Sequence, residues 1–263
     1  MPTARFKDRR RSAAIVFSPV APALLTVQDE VRAAFGWSLE ADQSSASALG
    51  QRMTSNAPFG VPTWSPHERT ARLARLAERC SLAPQVVVVG AAATVEEVEA
   101  AAAPDAVVIA ADGAAGAVPN HLDLIAVVSD LDGGKHLDAA VDRGLTVVLH
   151  AHGDNREAWK RLLPVWAAKA RPPGLVLTHQ APDLIEGMHN PGGFTDGDRA
   201  ACLLRWLGVS NESLAFVGFA TDRVGPWSGT TNAPRKLKKL AWMVEVLDRL
   251  GLKHDALLQD ESL

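Results

Sequence analysis

The sequence contains no tyrosine, only two cysteines and no excess of positive charge. Cys80 and Cys202 lie far apart and form no CxxC pair, so we expect no disulfide framework and a reducing, cytoplasmic location. The formal net charge of −3 gives no sign of the basic surface that nucleic-acid binding requires. No apolar run reaches the roughly 18 residues of a transmembrane helix. We therefore predict neither a nucleic-acid nor a membrane partner.

Three common catalytic motifs are also missing. The sequence has no GxxxxGK[ST] loop, which excludes a P-loop enzyme, and no GxGxxG after a predicted strand, which counts against a dinucleotide-binding fold. It has no GxSxG nucleophile elbow either. Any nucleotide site must therefore be built from other residues.

The N-terminus begins with a basic cluster. Arg9, Arg10 and Arg11 precede an apolar segment that superficially resembles a signal peptide. Pro19 and Pro22 interrupt that segment, and an acidic helical pattern follows it. We therefore expect a basic lead-in to a folded region rather than a cleaved signal.

Helical periodicity dominates the first third of the chain. Apolar residues recur at helical spacing over 23–57 and again over 67–80, which predicts a mostly helical N-terminal cap domain over 1–80. We expect its Trp37 and Trp64 to pack in the core or against the rest of the chain.

From residue 85 onward, short apolar runs alternate with amphipathic helices. This alternation predicts an α/β catalytic domain over 81–263 with a mostly parallel, doubly wound sheet. The composition, 47% hydrophobic, can supply its core. The predicted strands are 86–90, 106–110, 124–129, 145–149, 174–177 and 213–217, and the clearest helices are 154–170, 196–207 and 235–250.

Two of the predicted strands end in acidic residues. Asp112 with Gly113 follows the first, and Asp130 and Asp132 follow the second. Ligands of open α/β sheets bind beyond the carboxyl ends of the strands. On an extended chain, Asp130 and Asp132 would lie on one face about 6 to 7 Å apart and repel each other by roughly 2–3 kcal/mol. Mg²⁺ removes this cost, so we predict that Asp112, Asp130 and Asp132 bind magnesium, although each acid alone also suits a turn or a helix cap.

The segment HAHGDN follows another predicted strand. His150 and His152 share one strand face. They are candidate metal ligands, since imidazole suits zinc. Alternatively, they donate hydrogen bonds to phosphate oxygens. Asp154 has an acid three residues further on, which is also the spacing of a helix cap. Asp154 is therefore open to either role.

The segment GGFTDGDRA adds two more acids and a guanidinium. Gly193 has no side chain, so a ligand could approach its backbone closely. Arg199 has a planar guanidinium that can donate two hydrogen bonds to a phosphate. Asp196 and Asp198 could extend the acidic site, although Thr195 and Asp198 also have capping-box spacing.

The last predicted helix begins with a cluster of cations. Lys236 and Lys239 follow a polar loop, GPWSGTTNAP. They form either a solvated helix face or a lid whose cations reach a polyphosphate. The helix N-terminus is itself suited to anion binding.

Taken together, the strings DGAAGAV, VVSDLDGG, VVLHAHGDN, THQ, GGFTDGDRA and RKLKKL resemble the archaeal-type 6-hydroxymethyl-7,8-dihydropterin pyrophosphokinases over roughly residues 25 to 250. That family is in turn similar to thiamine pyrophosphokinase, to whose acidic elements Asp112, Asp130-Leu-Asp132 and Thr195-Asp196 correspond. Two segments depart from the family pattern: THQ replaces the usual Thr-Thr-Gln, and GAAAT at 90–94 replaces Gly-x-Gly-Pro-Ser.

The resemblance implies a fold like the thiamine pyrophosphokinase catalytic domain and Mg²⁺-dependent transfer of diphosphate from ATP to the pterin hydroxymethyl group. On this resemblance AMP would be released, and the product would enter folate or methanopterin biosynthesis. The partners would be small-molecule substrates, with a homo-oligomer left open. The implied catalytic residues are Asp130, Asp132, Asp196 and Asp198. For this reaction we predict nucleotide and pterin contacts at Gly90, Asp112, Gly113, His150, His152, Asp154, Asn155, Thr178, Gln180, Gly193, Thr195, Arg199, Lys236 and Lys239, with Asn155, Thr178 and Gln180 at the pterin edge.

Three other functions stay open at this point. His150, His152 and Asp154 resemble the HxHxDH motif of metallo-β-lactamase-fold zinc hydrolases, with Asn155 in place of the final histidine. A nucleotide-sugar transferase is another candidate, because a related domain occurs in flagellin-modifying proteins. The third is a non-catalytic nucleotide-binding regulator that keeps the acids.

Overall fold

A computed structural model describes residues 17–229 and 231–252, so the arginine cluster at residues 9–11 lies outside the described residues. Six strands form one sheet in the order β5-β4-β3-β2-β1-β6, and every neighbouring pair is parallel. This confirms the predicted α/β class and parallel sheet. The strands are β1 Val86–Val89, β2 Val107–Ala111, β3 Asp123–Ser129, β4 Thr146–Ala151, β5 Gly174–His179 and β6 Leu214–Val217.

The strands form where β-branched residues run together, and β1, β2, β4 and β5 are buried along their whole length. Eight α-helices accompany them among the described residues. Several begin at the capping residues that their sequences offer, such as Ser38, Ser65 and Thr94. The helices are α1 Pro22–Phe35, α2 Leu39–Arg52, α3 Pro66–Leu82, α4 Val95–Ala101, α5 Gly134–Asp142, α6 Arg156–Ala167, α7 Asp196–Trp206 and α8 Ala233–Arg249.

Helices cover both faces of the sheet. Apolar residues of α2, α4, α5 and α6 form one hydrophobic core with alternate strand residues such as Val87 and Val147. Apolar residues of α3, α7 and α8 form a second core with the opposite strand faces, for example Val88 and Val148. Helix α1 packs against Phe194 and against Val246 of α8 in a smaller cluster. The sheet is therefore covered on both faces, as predicted.

The N-terminal region is helical, as predicted. Its second and third helices, α2 and α3, lie on opposite faces of the sheet and share the two large cores with it. The division into domains at residues 80 and 81 stays a prediction. No described helix combines the length and the apolarity that crossing a bilayer would need.

The order of the strands creates a binding position at the carboxyl edge of the sheet. From β1 the chain steps through β2, β3, β4 and β5 in one direction, and it then returns to place β6 on the other side of β1. The gap above β1 and β6 is therefore a topological switch point, where open α/β sheets bind their ligands.

Candidate active site

Four aspartates meet at the carboxyl edge of the sheet. Asp112 follows β2, Asp130 and Asp132 follow β3, and Asp196 begins α7. One carboxylate oxygen from each lies within 4.8 Å of the others. The structure thus brings together the three acids that sequence reasoning placed at a metal site and adds Asp196, for which a metal or catalytic role was left open.

A strained turn, rather than the extended chain that we expected, brings Asp130 and Asp132 together. Leu131 between them has a φ of +82°, and Asp112 has a φ of +48°. Such left-handed backbone in a non-glycine residue costs on the order of 1–3 kcal/mol and often marks a functional site. Ser129 supports the turn, because its Oγ accepts a hydrogen bond from the Leu131 amide at 2.8 Å and donates one to Asp112. No sequence pattern pointed to Ser129.

The crowded carboxylates change each other's pKa values. Burial, with the neighbouring aspartates, raises the pKa of Asp112 well above its ordinary value. Burial and Asp130 raise the pKa of Asp196 to about 8, and they also raise that of Asp132. Burial acts in the same direction on Asp130, but His152, Arg199 and Lys239 outweigh it, so the pKa of Asp130 is lowered. The pKa values of three of the four acids are therefore raised, and a bound cation would act against this shift.

The chemistry of the four aspartates suits Mg²⁺. All the converging atoms are carboxylate oxygens, which are the ligands that hard cations prefer. Asp130 Oδ1 is buried and has no hydrogen-bond partner among the described residues, so it is free to bind a cation. The site fits magnesium better than zinc, which prefers nitrogen and sulfur ligands.

Two basic side chains flank the acids on one side. Arg199 is buried, and its Nη1 donates to Asp196 Oδ1 at 3.1 Å and lies 3.6 Å from Asp130 Oδ2. His152 Nε2 lies 3.4 Å from the same Asp130 oxygen. Both side chains act to lower the pKa of Asp130, and the Arg199 guanidinium places positive charge beside the candidate metal site.

A pocket with about 570 Å³ of empty space, which we call the switch-point pocket, opens above β1 and β6. Four glycines are among its lining residues, and two loops approach each other closely at two of them, Gly218 and Gly225. A Cβ on Gly218 would lie 2.1 Å from the Ala93 nitrogen, and one on Gly225 would lie 2.0 Å from the Ala91 oxygen. The predicted Gly90 and Asp112 line this pocket, together with Gly197, Trp227 and Ser228.

A second pocket with about 450 Å³ of empty space, which we call the aromatic pocket, lies on the other side of the acids. Its walls include Trp37, Phe194, His152, Gln180, Arg199 and Lys239. Trp37 is half-buried and belongs to the N-terminal region, where sequence reasoning assigned it to packing. Both pockets share Asp132, Thr195, Asp196 and Lys236. The acidic cluster therefore lies where two separate binding spaces meet.

Asp198, predicted as catalytic, forms a helix cap in the structure. Its carboxylate is fully buried and accepts hydrogen bonds from the Phe194 amide, the Thr195 amide at 2.9 Å and the Thr195 hydroxyl at 2.7 Å. Burial raises its pKa to about 6, although these bonds and Arg199 act to lower it. Asp198 thus caps α7 and is not one of the four converging acids, so its catalytic role stays a prediction.

Six predicted contacts do not line either pocket: Gly113, His150, Asp154, Asn155, Thr178 and Gly193. The Asn155 side-chain amide donates to the backbone oxygen of Asp130 at 2.9 Å and to that of His150 at 2.6 Å, so it joins the segments that follow β3 and β4. Gly193 has a φ of +91° and packs on α7, where a Cβ would lie 2.8 Å from Arg199 Cα. Asp154 is exposed and lies 3.6 Å from Arg235.

The structure does not support the zinc-hydrolase alternative. Over residues 17–229 and 231–252, the group of converging metal ligands consists of the four aspartates alone. His150 is buried, with its ring nitrogens 3.0 Å from Thr178 Oγ1 and 3.3 Å from Gln180 Oε1. Burial, with Arg199 and His152 nearby, lowers its pKa well below the ordinary value. His150 and Thr178 thus form a neutral layer beneath the aromatic pocket.

Comparison with known proteins bears on what these pockets bind. No family model matches the chain. The 6-hydroxymethyl-7,8-dihydropterin pyrophosphokinase of Pyrococcus furiosus is 36% identical over 154 residues, which are 56% of this chain and 62% of that protein. The chain is similar to archaeal pterin pyrophosphokinases.

Two further relatives carry the same name. The protein of Methanothermobacter thermautotrophicus is 40% identical over 116 residues, which cover 43% of this chain and 46% of the relative. The protein of Methanocaldococcus jannaschii is 38% identical over 104 residues, which cover 36% of this chain and 40% of the relative. The matched segments thus span between two fifths and about three fifths of the length of these relatives. The shared name of these three relatives supports the resemblance seen in the motifs.

Proposed function

We propose that this protein transfers diphosphate from ATP to the hydroxymethyl group of 6-hydroxymethyl-7,8-dihydropterin, with release of AMP, as a step toward folate or methanopterin. The observation that carries this proposal is the four-aspartate cluster between two pockets. A transfer between two substrates needs two binding spaces that meet at the reacting group. The names of the three archaeal relatives support the choice of substrate.

ATP fits the switch-point pocket. The glycine loops bring backbone close to the ligand, and the first turn of α7, at Thr195 and Asp196, offers the positive end of a helix dipole to phosphates. Asp112, Asp130, Asp132 and Asp196 would hold Mg²⁺ beside the phosphate chain. When bound, the ion neutralises charge on the transferring group. Lys236 lines both pockets and adds a cation at the junction.

The pterin fits the aromatic pocket. A flat heteroaromatic ring can pack against the wall that contains Trp37 and Phe194, whose ring centroids lie 5.9 Å apart. Arg199 on the floor of this pocket faces Asp130 and Asp196, where negative charge accumulates during transfer. The chemistry then rests on positioning and charge compensation rather than on a covalent intermediate.

The test is incubation of the full chain with ATP, Mg²⁺ and the pterin alcohol, with AMP and ADP separated by chromatography. Thiamine runs in parallel. The proposal requires AMP that depends on the pterin and on Mg²⁺. ADP as the nucleotide product, or AMP that forms with thiamine alone, would refute it. Nucleotide binding without AMP release would favour the non-catalytic regulator.

A further inference from the structure

A buried carboxylate in the N-terminal region contacts two loops of the site. Asp42 of α2 is 4% exposed. Its Oδ2 accepts hydrogen bonds from Gln180 Nε2 at 2.7 Å and from Arg32 Nη1 at 3.1 Å. Its Oδ1 accepts one from the Gly153 amide at 2.8 Å, next to His152. All of these donors belong to α1 or to loops after β4 and β5.

The bond to Asp42 fixes the orientation of the Gln180 amide. A carboxylate only accepts hydrogen bonds, so the NH₂ group of Gln180 must face Asp42 and its oxygen must face the site. That oxygen accepts a hydrogen bond from Arg199 Nη2 at 3.3 Å and lies 3.3 Å from His150 Nε2. Arg199 then directs its other amino group, Nη1, to Asp196 at 3.1 Å.

We infer that Asp42 is a positioning residue for diphosphate transfer, acting through Gln180 on Arg199. This inference rests on the proposed function for its effect on rate. The carboxylate does not line either pocket. It orients the guanidinium that faces Asp130 and Asp196, and it holds the backbone next to His152. A helix that seemed to belong to a separate cap thus contributes to the geometry of the active site.

Asp29 offers a matched control. It pairs with the same Arg32 guanidinium, but its side chain is 68% exposed, and Gln180 and Gly153 both bond to Asp42 instead. Asp29→Asn and Asp42→Asn each remove one negative charge from Arg32. Only Asp42→Asn places an amide next to Gln180. Because this amide can donate as well as accept, the Gln180 side chain is no longer held in one orientation.

Steady-state kinetics test the effect on rate. Asp42→Asn lowers kcat by about 10- to 100-fold, the range expected when a hydrogen bond to a charged group is lost, and Asp29→Asn leaves it within about twofold. The KM for ATP changes by less than about twofold, since Gln180 and Arg199 do not line the switch-point pocket. In an Arg199→Lys background, Asp42→Asn causes little further loss, because the two act as one unit. An equal loss in both backgrounds would overturn the inference.

NMR of the arginine side chains tests the positioning without any turnover. In wild type and in Asp29→Asn, restricted rotation of Arg199 gives separate signals for its two Nη groups, assigned with Arg199→Lys. In Asp42→Asn these signals average. Gln180→Met removes the same link and reproduces the averaging, so it serves if Asp42→Asn fails to fold. Separate Nη signals in either variant would refute the inference, whereas a wild type that makes no AMP would refute only the proposed function.

Discussion

The hydroxyl of Ser129 donates a hydrogen bond to the carboxylate of Asp112 and so joins the ends of β3 and β2. The Ser129 hydroxyl oxygen also accepts a hydrogen bond from the backbone amide of Leu131, the strained residue between Asp130 and Asp132. One hydroxyl therefore organises three of the four acids at the proposed metal site.

Ser129→Ala tests this organisation. The variant leaves the buried Leu131 amide without its acceptor and frees Asp112, so we expect a loss of about 1–3 kcal/mol in the free energy of unfolding. We also expect Mn²⁺, used as a spin probe for Mg²⁺, to bind about tenfold more weakly by EPR titration. Ser81→Ala, which removes an exposed hydroxyl on α3, serves as the control. Unchanged Mn²⁺ affinity in Ser129→Ala would show that the hydroxyl does not organise the acids.

The two pockets predict that substitutions of two tryptophans raise the KM for different substrates. Trp37 lines the aromatic pocket, and Trp227 lines the switch-point pocket. Trp37→Leu should raise the KM for the pterin by about tenfold and leave that for ATP unchanged, because roughly 1–2 kcal/mol of aromatic contact is lost. Trp227→Leu should raise the KM for ATP instead. If both variants raised the same KM, the division into two binding spaces would be wrong.

Gly113→Ala tests the close contact that shapes the nucleotide side. A Cβ at this position would lie 2.3 Å from the Trp227 oxygen, so the loop over the switch-point pocket must move. We expect the KM for ATP to rise by about tenfold or more. Gly134→Ala is the control, since its Cβ meets no atom within 4 Å and only its φ of +54° is strained, at a cost of about 1–2 kcal/mol. Equal KM values in the two variants would contradict this role for Gly113.

The pKa of Asp196 predicts a pH dependence of stability in EDTA. Burial and Asp130 raise this pKa to about 8, whereas in the unfolded chain the pKa of the same carboxyl is about 3.9. The folded state therefore binds more protons between these values, and the free energy of unfolding falls as pH rises through this window. Urea unfolding from pH 5 to 8.5 should show a shallower fall in Asp196→Asn. Identical slopes in wild type and variant would contradict the raised pKa.

The sheet was predictable because strands that are buried on both faces consist mostly of apolar residues, many of them β-branched. The run VVVV gave β1, and the predicted strand at 145–149 corresponds to Thr146–Ala151. The main difference is that His150 lies inside β4, where it bonds to Thr178 of β5. Pairing with β5 extends β4 into residues that look polar in the sequence.

The site was only partly predictable. Asp112, Asp130 and Asp132 directly follow strands, so the topology alone brings them to one edge. Asp198 and Asn155 have residue types and positions that suggest a binding role, and only the hydrogen bonds reveal that Asp198 caps α7 and that Asn155 joins two backbone segments. Contacts between distant segments carry no local pattern, as for Trp37 in the aromatic pocket and for Asp42, 138 residues from Gln180.

The most direct measurement is a crystal structure of the full chain with Mg²⁺, a non-hydrolysable α,β-methylene analogue of ATP and the pterin alcohol. We expect magnesium bound by Asp112, Asp130, Asp132 or Asp196, the nucleotide in the switch-point pocket and the pterin ring against Trp37. The pterin hydroxyl should face the β-phosphorus. A metal bound elsewhere, or both substrates in one pocket, would contradict the central claim.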